Sequence, residues 1–190
     1  MQKVSKSIFR EYDIRGIVPD ELNEDSISEI AKSIALKCHN ESVDEVVIGR
    51  DGRLSGSSLL ESLQESLNNN GINTINIGLV TSPLLYYAAK KRDSKSGIMI
   101  TGSHNPKNYN GIKLVINDKP VSGKEIFKLS NISTTSKYSN GKNIFLDFKE
   151  NYIAEVAKDF SFKKLKIVVD CGNGAAGIIA PDLLLSLIHI

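Results

Sequence analysis

The strongest constraint on this chain is an alternation. Short β-prone runs, β-branched at residues 43–48, alternating at 73–79 and apolar at 97–100, are separated by stretches whose apolar residues recur at helical spacing. Between the first two runs Leu59, Leu60, Leu63 and Leu67 share one helical face, and Gly71 is placed to close that helix. Between the second and third, Thr81-Ser82-Pro83 opens a helix that runs through Leu85 and Ala88 to Lys91, with the proline in its first turn. Strands joined through helices lie parallel, and a parallel sheet needs helices over both faces. The expected fold is therefore α/β, with a mixed, mostly parallel sheet covered by helices and with functional loops at the carboxyl ends of the strands.

The flanking segments extend this pattern. Ile27, Ile30, Ala31, Ile34, Ala35 and Cys38 form a helical stripe over residues 23–39, with Asn23 as N-cap and Glu24 and Asp25 in the first turn, where carboxylates suit the helix dipole. Cys38 completes the buried face, and His39 is expected to be solvated beyond it. Residues 114–116 read as a short strand antiparallel to its neighbour, 122–129 as a helix, and 130–143 as a polar, exposed connection. A helix over 147–160 then leads into LKIVVDCGNGAAG, residues 165–177. This reads as a buried strand, a glycine turn and a small-residue helix that restart the βα pattern.

Length and composition bound the rest. The chain's 190 residues accommodate one full domain and part of another. A net charge of +2 gives no reason to expect nucleic acid or a membrane as partner. The N-terminus lacks the apolar core of a signal peptide and no run is long enough to span a bilayer, so a cytoplasmic protein is expected. Cys38 and Cys171 lie far apart without metal-ligand spacing and read as reduced thiols. Nothing in the sequence fixes an oligomeric state. The basic residues are 19 Lys and 5 Arg, and Arg10, Arg15, Arg50 and Arg53 cluster in two short Gly/Asp-containing stretches. A planar guanidinium offers phosphate or carboxylate a fork that lysine cannot, so these arginines are candidates for ligand contacts or for ion pairs within their own loops.

Chemistry concentrates in residues 97–113, GIMITGSHNPKNYNGIK. An apolar strand breaks into Thr101, Gly102, Ser103, His104, Asn105 and Pro106, and Gly111 with Lys113 returns the chain with a cation. A hydroxyl at a strand end, an adjacent imidazole and nearby cations suit phosphoryl chemistry, which is governed mainly by positioning and electrostatics. A lone Ser-His pair is more often an ordinary turn after a strand. The second Gly-rich turn, GRDGRLSG at residues 49–56, can receive an anion at the following helix or simply connect strand to helix.

The run TGSHNP followed by NGIK resembles the active-site serine loop of the α-D-phosphohexomutases, the phosphomannomutases and phosphoglucomutases. Tyr12-Asp-Ile-Arg15-Gly likewise resembles their N-terminal motif, in the spelling of the bacterial phosphomannomutase/phosphoglucomutase branch rather than of the phosphoglucosamine mutases. The resemblance implies interconversion of hexose 1- and 6-phosphates through phosphorylated Ser103 and a hexose 1,6-bisphosphate, with Mg²⁺ held in part by the Ser103 phosphate. By the same resemblance Lys113 and Arg15 stabilise charge or move a proton, and His104 and Tyr12 orient the substrate or move a proton. Asn105 helps hold the loop, and Arg50 and Arg53 bind phosphate or support the site. Alternatives left open are a phosphoglucosamine mutase and a non-catalytic phosphosugar-binding module.

The resemblance further implies a protein of four domains around a cleft. Residues 1–145 correspond to the first and 146–184 to the start of the second, so the remaining metal, sugar and phosphate loops are expected beyond this chain, which alone is expected to be inactive. The ending LSLIHI, residues 185–190, matches the translation of a transposon end used in sequencing libraries and is expected to be adapter read-through.

Overall fold

A computed structural model describes residues 4–131, 138–160 and 166–188. Among these residues seven strands form one sheet: β1 (Ile14–Ile17), β2 (Glu45–Arg50), β3 (Asn73–Leu79), β4 (Gly97–Ile100), β5 (Tyr109–Ile116), β6 (Lys119–Pro120) and β7 (Asn143–Phe145). Their order is β1-β5-β4-β2-β3-β7, with β6 paired to β5. The pairs among β4, β2, β3 and β7 are parallel, whereas β5 runs antiparallel to β1, β4 and β6, so β5 alone opposes the common direction. The mixed, mostly parallel sheet expected from the alternation is present.

Among the described residues six α-helices accompany it: α1 (Glu24–Asn40), α2 (Gly56–Asn69), α3 (Ser82–Lys90), α4 (Lys124–Lys128), α5 (Lys149–Ala157) and α6 (Ala180–Ile188). Asn23 caps α1, its side chain accepting from the Ser26 amide at 2.9 Å while Ser26 Oγ accepts from the Asn23 amide at 2.8 Å. Thr81 caps α3, and Gly71, at φ +80°, turns the chain out of α2.

Alternate residues of each central strand feed two cores. Ile48, Ile98, Ile100 and Ile112 join Ile27, Ile30 and Ile34 of α1 and Leu59, Leu63 and Leu67 of α2 on one face. Val47, Ile75 and Met99 join Leu84, Leu85 and Ala88 of α3 on the other, with Leu146 and Tyr152 packed alongside. Because both faces are covered, β4 and the middle of β2 are buried without alternation, whereas β3, farther toward the edge, keeps polar Asn73 and Asn76 among its apolar residues. Each fully buried Ile or Leu contributes about 1.5–3 kcal/mol. Burial also pushes the Cys38 thiol up to about 12, as expected of a core thiol.

Four expectations need correction. His39 is not simply solvated: its Nε2 lies 2.8 Å from the Asn70 carbonyl and its ring stacks on Tyr138 at 3.9 Å. The returning strand begins at Tyr109 instead of residue 114, because β1 pairs along its first half. The polar connection after residue 130 ends in β7, whose register with β3 runs from Thr74↔Asn143 to Asn76↔Phe145; residues 132–137 lie outside the described ones. Finally, residues 166–170 form no strand, and Ile167, Val168 and Val169 are solvent-exposed. An apolar run without a neighbouring ladder leaves its backbone groups to water. Leu165 lies outside the described residues.

Candidate active site

Parallel pairing of β2 with β4 sets Arg50 against Ile100, which brings the turns after both strands to one sheet edge. There the Asp51 amide donates to the Ile100 carbonyl at 3.0 Å. The Asp51 carboxylate accepts from the Thr101 hydroxyl at 2.7 Å, from the Gly102 amide at 3.1 Å and from the Arg53 amide at 3.0 Å. Arg53 then reaches into the serine loop. Its Nη1 donates to the carbonyls of Pro106 (2.7 Å) and Tyr109 (2.9 Å), and its Nη2 to those of Ser103 (3.1 Å) and Asn105 (2.6 Å).

Ser103 stands exposed at the tip with φ +50°, a left-handed conformation rare for a residue with a side chain. Such a conformation costs on the order of 1–3 kcal/mol and persists only where the surroundings over-determine it. The Ser103 amide donates to Thr101 Oγ1 at 3.0 Å, and Ser103 Oγ lies 3.3 Å from His104 Nδ1. Asn105 ties the loop to itself and to β1: its Nδ2 donates to the Gly102 carbonyl at 2.7 Å while its Oδ1 accepts from Arg15 Nη1 at 3.1 Å.

Arg15 sits opposite Gly111 in the β1–β5 register, where any Cβ would overlap the Ile14 carbonyl. Its Nη2 donates to Asp13 Oδ2 at 2.7 Å, and Lys113 Nζ lies 3.6 Å from that same oxygen. Two cations thus share one carboxylate whose side chain is only 8% exposed, leaving one positive charge in excess beside the serine loop. Tyr12 is 74% exposed and, with Lys113, Tyr86, Lys90 and Val115, lines a groove of about 480 Å³ that flanks this cluster.

Ser103, His104, Asn105, Arg15, Lys113 and Arg53 are therefore joined by contacts, and Tyr12 borders them. Arg50 instead donates to the Asp51 carbonyl at 3.1 Å, and Arg10 is exposed. Residue types alone assigned no role to Asp13, Asp51 or Thr101. Asp13 could have been found from strand periodicity, since it lies two residues before Arg15 and thus on the same face.

Among the described residues no group of three or more His, Cys, Asp or Glu comes together to hold a metal ion. Asp13 and Asp51 are occupied by cations, hydroxyl and amides, so these residues do not by themselves fit an Mg²⁺ site. No helix among the described residues is long and apolar enough to cross a membrane.

The profile of phosphoglucomutase/phosphomannomutase, alpha/beta/alpha domain I, matches residues 6–140. The chain belongs to this family. It is 41% identical over 184 residues to a phosphomannomutase/phosphoglucomutase of Pseudomonas syringae pv. tomato, covering 95% of this chain and 40% of that protein. It is 36% identical over 188 residues to a phosphoglucomutase of Neisseria meningitidis serogroup B, covering 96% and 41%. A crystal structure of a phosphoglucomutase/phosphomannomutase family protein from Burkholderia thailandensis superposes with a TM-score of 0.90 at 34% identity, over 97% of this chain and 43% of that one. The chain thus spans about two fifths of the length of the relatives it matches.

Proposed function

We propose that this chain supplies the phosphoserine-bearing part of a cytoplasmic phosphohexomutase that interconverts hexose 1-phosphates and hexose 6-phosphates. The observation that carries the reading is the setting of Ser103: an exposed hydroxyl in a strained, tightly held loop, with His104 Nδ1 at 3.3 Å and the Arg15–Asp13–Lys113 cluster linked to the loop through Asn105. In the forward step the bond from phosphorus to Ser103 Oγ breaks as a bond to the sugar hydroxyl oxygen forms. The proton lost by the sugar hydroxyl ends on Ser103 Oγ. The resulting hexose 1,6-bisphosphate reorients and returns its other phosphoryl group to Ser103.

The chain's own residues have separable tasks in this reading. Arg15 and Lys113 face the charge of the transferring group, and their shared Asp13 keeps them in place. His104 is close enough to Oγ to hold or pass the proton, and Tyr12 borders the incoming sugar. Any Mg²⁺ at phosphorylated Ser103 would draw its remaining ligands from outside this chain, and residues 146–184 open a second α/β unit completed there.

The test uses the full-length protein with glucose 1-phosphate and mannose 1-phosphate. Turnover to the 6-phosphates, with phosphate found on Ser103, is expected; Ser103→Ala should lower it by at least about a thousandfold. Near-normal turnover in that variant would rule the phosphoserine route out, and binding of sugar phosphate without turnover in the unmutated protein would make this a binding module.

A further inference from the structure

The Arg53 guanidinium is bound to the backbone carbonyls of the serine loop. An arginine carries five N–H groups, and here the four on Nη1 and Nη2 are engaged, two at the carbonyls of Pro106 and Tyr109 and two at those of Ser103 and Asn105, while Nε lies 3.6 Å from Asp51 Oδ2 in an ion pair. The two Nη groups are thereby committed to the loop backbone and not to a ligand phosphate. We propose that Arg53 is a positioning residue for phosphoryl transfer at Ser103: by gathering four loop carbonyls on one planar fork, it fixes the left-handed backbone of Ser103 and with it the direction of Oγ. The proposal rests on the reading of Ser103 as the phosphorylated group.

Three observations support it. The carbonyls belong to residues 103, 105, 106 and 109, so one side chain from the β2–α2 turn ties the loop tip to the start of β5. Lysine, a point charge on a flexible stem, cannot hold four acceptors in one plane. Next, Asp51 clamps the near side: it accepts from the Thr101 hydroxyl and Gly102 amide and also from Arg53's own amide, so loop and guanidinium are fixed to the same carboxylate. With side chains only 15% and 18% exposed, Arg53 and Asp51 offset one another's charge, which leaves Arg15 and Lys113 to supply the field at the phosphate. Finally, a Cβ at Gly102 would overlap Nε, Cζ and Nη2 of Arg53. The glycine of the TGSHNP run is thus the space the guanidinium occupies.

The experiment compares Arg53→Lys and Arg53→Ala with the unmutated full-length protein. Misplacement of the nucleophile should lower kcat about 100-fold, with KM for the hexose phosphate changed by less than about threefold. Added guanidinium ion should restore part of kcat to Arg53→Ala and none to Ser103→Ala. Amide hydrogen exchange should speed up within residues 103–109 and stay unchanged in α1. Gly102→Ala, which evicts the guanidinium, should lose as much as Arg53→Ala, and the double variant should be no worse than either single one. The proposal is overturned by a raised KM with unchanged kcat, which would put Arg53 on the substrate; by unchanged kcat and exchange; by additive losses in the double variant; or by failure of both Arg53 variants to fold, which would make it a stability element. If the unmutated protein shows no mutase turnover, the phosphoserine reading fails instead, and the exchange measurement alone decides whether Arg53 orders the loop.

Discussion

Residues 97–102 and 166–174 share a pattern, an apolar run leading into a glycine turn, yet Ile98, Met99 and Ile100 are at most 1% exposed while Ile167, Val168 and Val169 are 47%, 98% and 48% exposed. The difference lies in what flanks them. β4 is laddered on one side by β2 and on the other by β5, and helices cover both of its faces, so its backbone is paired along both edges and its side chains are buried in two cores. The later run pairs with no strand among the described residues. An apolar run states that a segment can be buried as a strand; whether it becomes one depends on neighbours elsewhere in the chain. The glycine turns differ in the same way. Gly102 is pressed against Arg53, whereas a Cβ at Gly172 would meet nothing within 4 Å.

The largest expected effect follows directly. Ile98→Ala removes a side chain from a closed core and should cost about 2–5 kcal/mol of folding free energy. Val168→Ala should change it by less than about 0.5 kcal/mol, because an exposed side chain leaves no cavity. Urea denaturation of both variants measures the contrast. Equal losses would mean that the second run is as well packed as the first, and the comparison would collapse.

The same contrast explains what could be read in the sequence. Elements that carry their own instructions were legible nearly to the residue. α1 begins at the Asn23 cap, α3 has Thr81 and Pro83 at its start, and β3 spans residues 73–79 as its alternation indicates. Elements defined by a partner were not. β5 gains Tyr109–Lys113 only because β1 lies beside it, β7 exists only as an addition to the edge of β3, and His39 is held by Asn70 and Tyr138 from distant segments. The site divides in the same manner. Ser103, His104, Asn105, Arg15 and Lys113 were visible as residue types in suggestive runs, and the meeting of the two Gly-rich turns at one edge followed from parallel pairing. Arg53 was legible only as a residue that binds phosphate or supports the site; its contacts were not, since they are made to four carbonyls whose directions no side-chain identity encodes.

The two cysteines sharpen the comparison with a smaller, purely local effect. Cys38 lies in the α1 core, fully buried, and burial holds its thiol near 12 against an ordinary value of 9.0. Cys171 lies in the later glycine turn and is partly accessible. At pH 8 the Cys38 thiolate fraction is therefore on the order of 10⁻⁴, and a reagent reaches it only when the core opens. Iodoacetamide should modify Cys171 at least about 100-fold faster than Cys38 in the folded chain, and the difference should vanish in strong denaturant. The raised pKa also fixes a sign for stability. Below the ordinary thiol value both states hold the proton, so Cys38 contributes no pH dependence; as pH rises from about 9 toward about 12 the unfolded chain releases its proton first, and stability must fall. Cys38→Ala should flatten that alkaline decline while Cys171→Ala leaves it in place. If Cys38 were modified as quickly as Cys171 in the folded chain, the α1 face would not be sealed, and the division between a closed first core and an open later segment would be wrong.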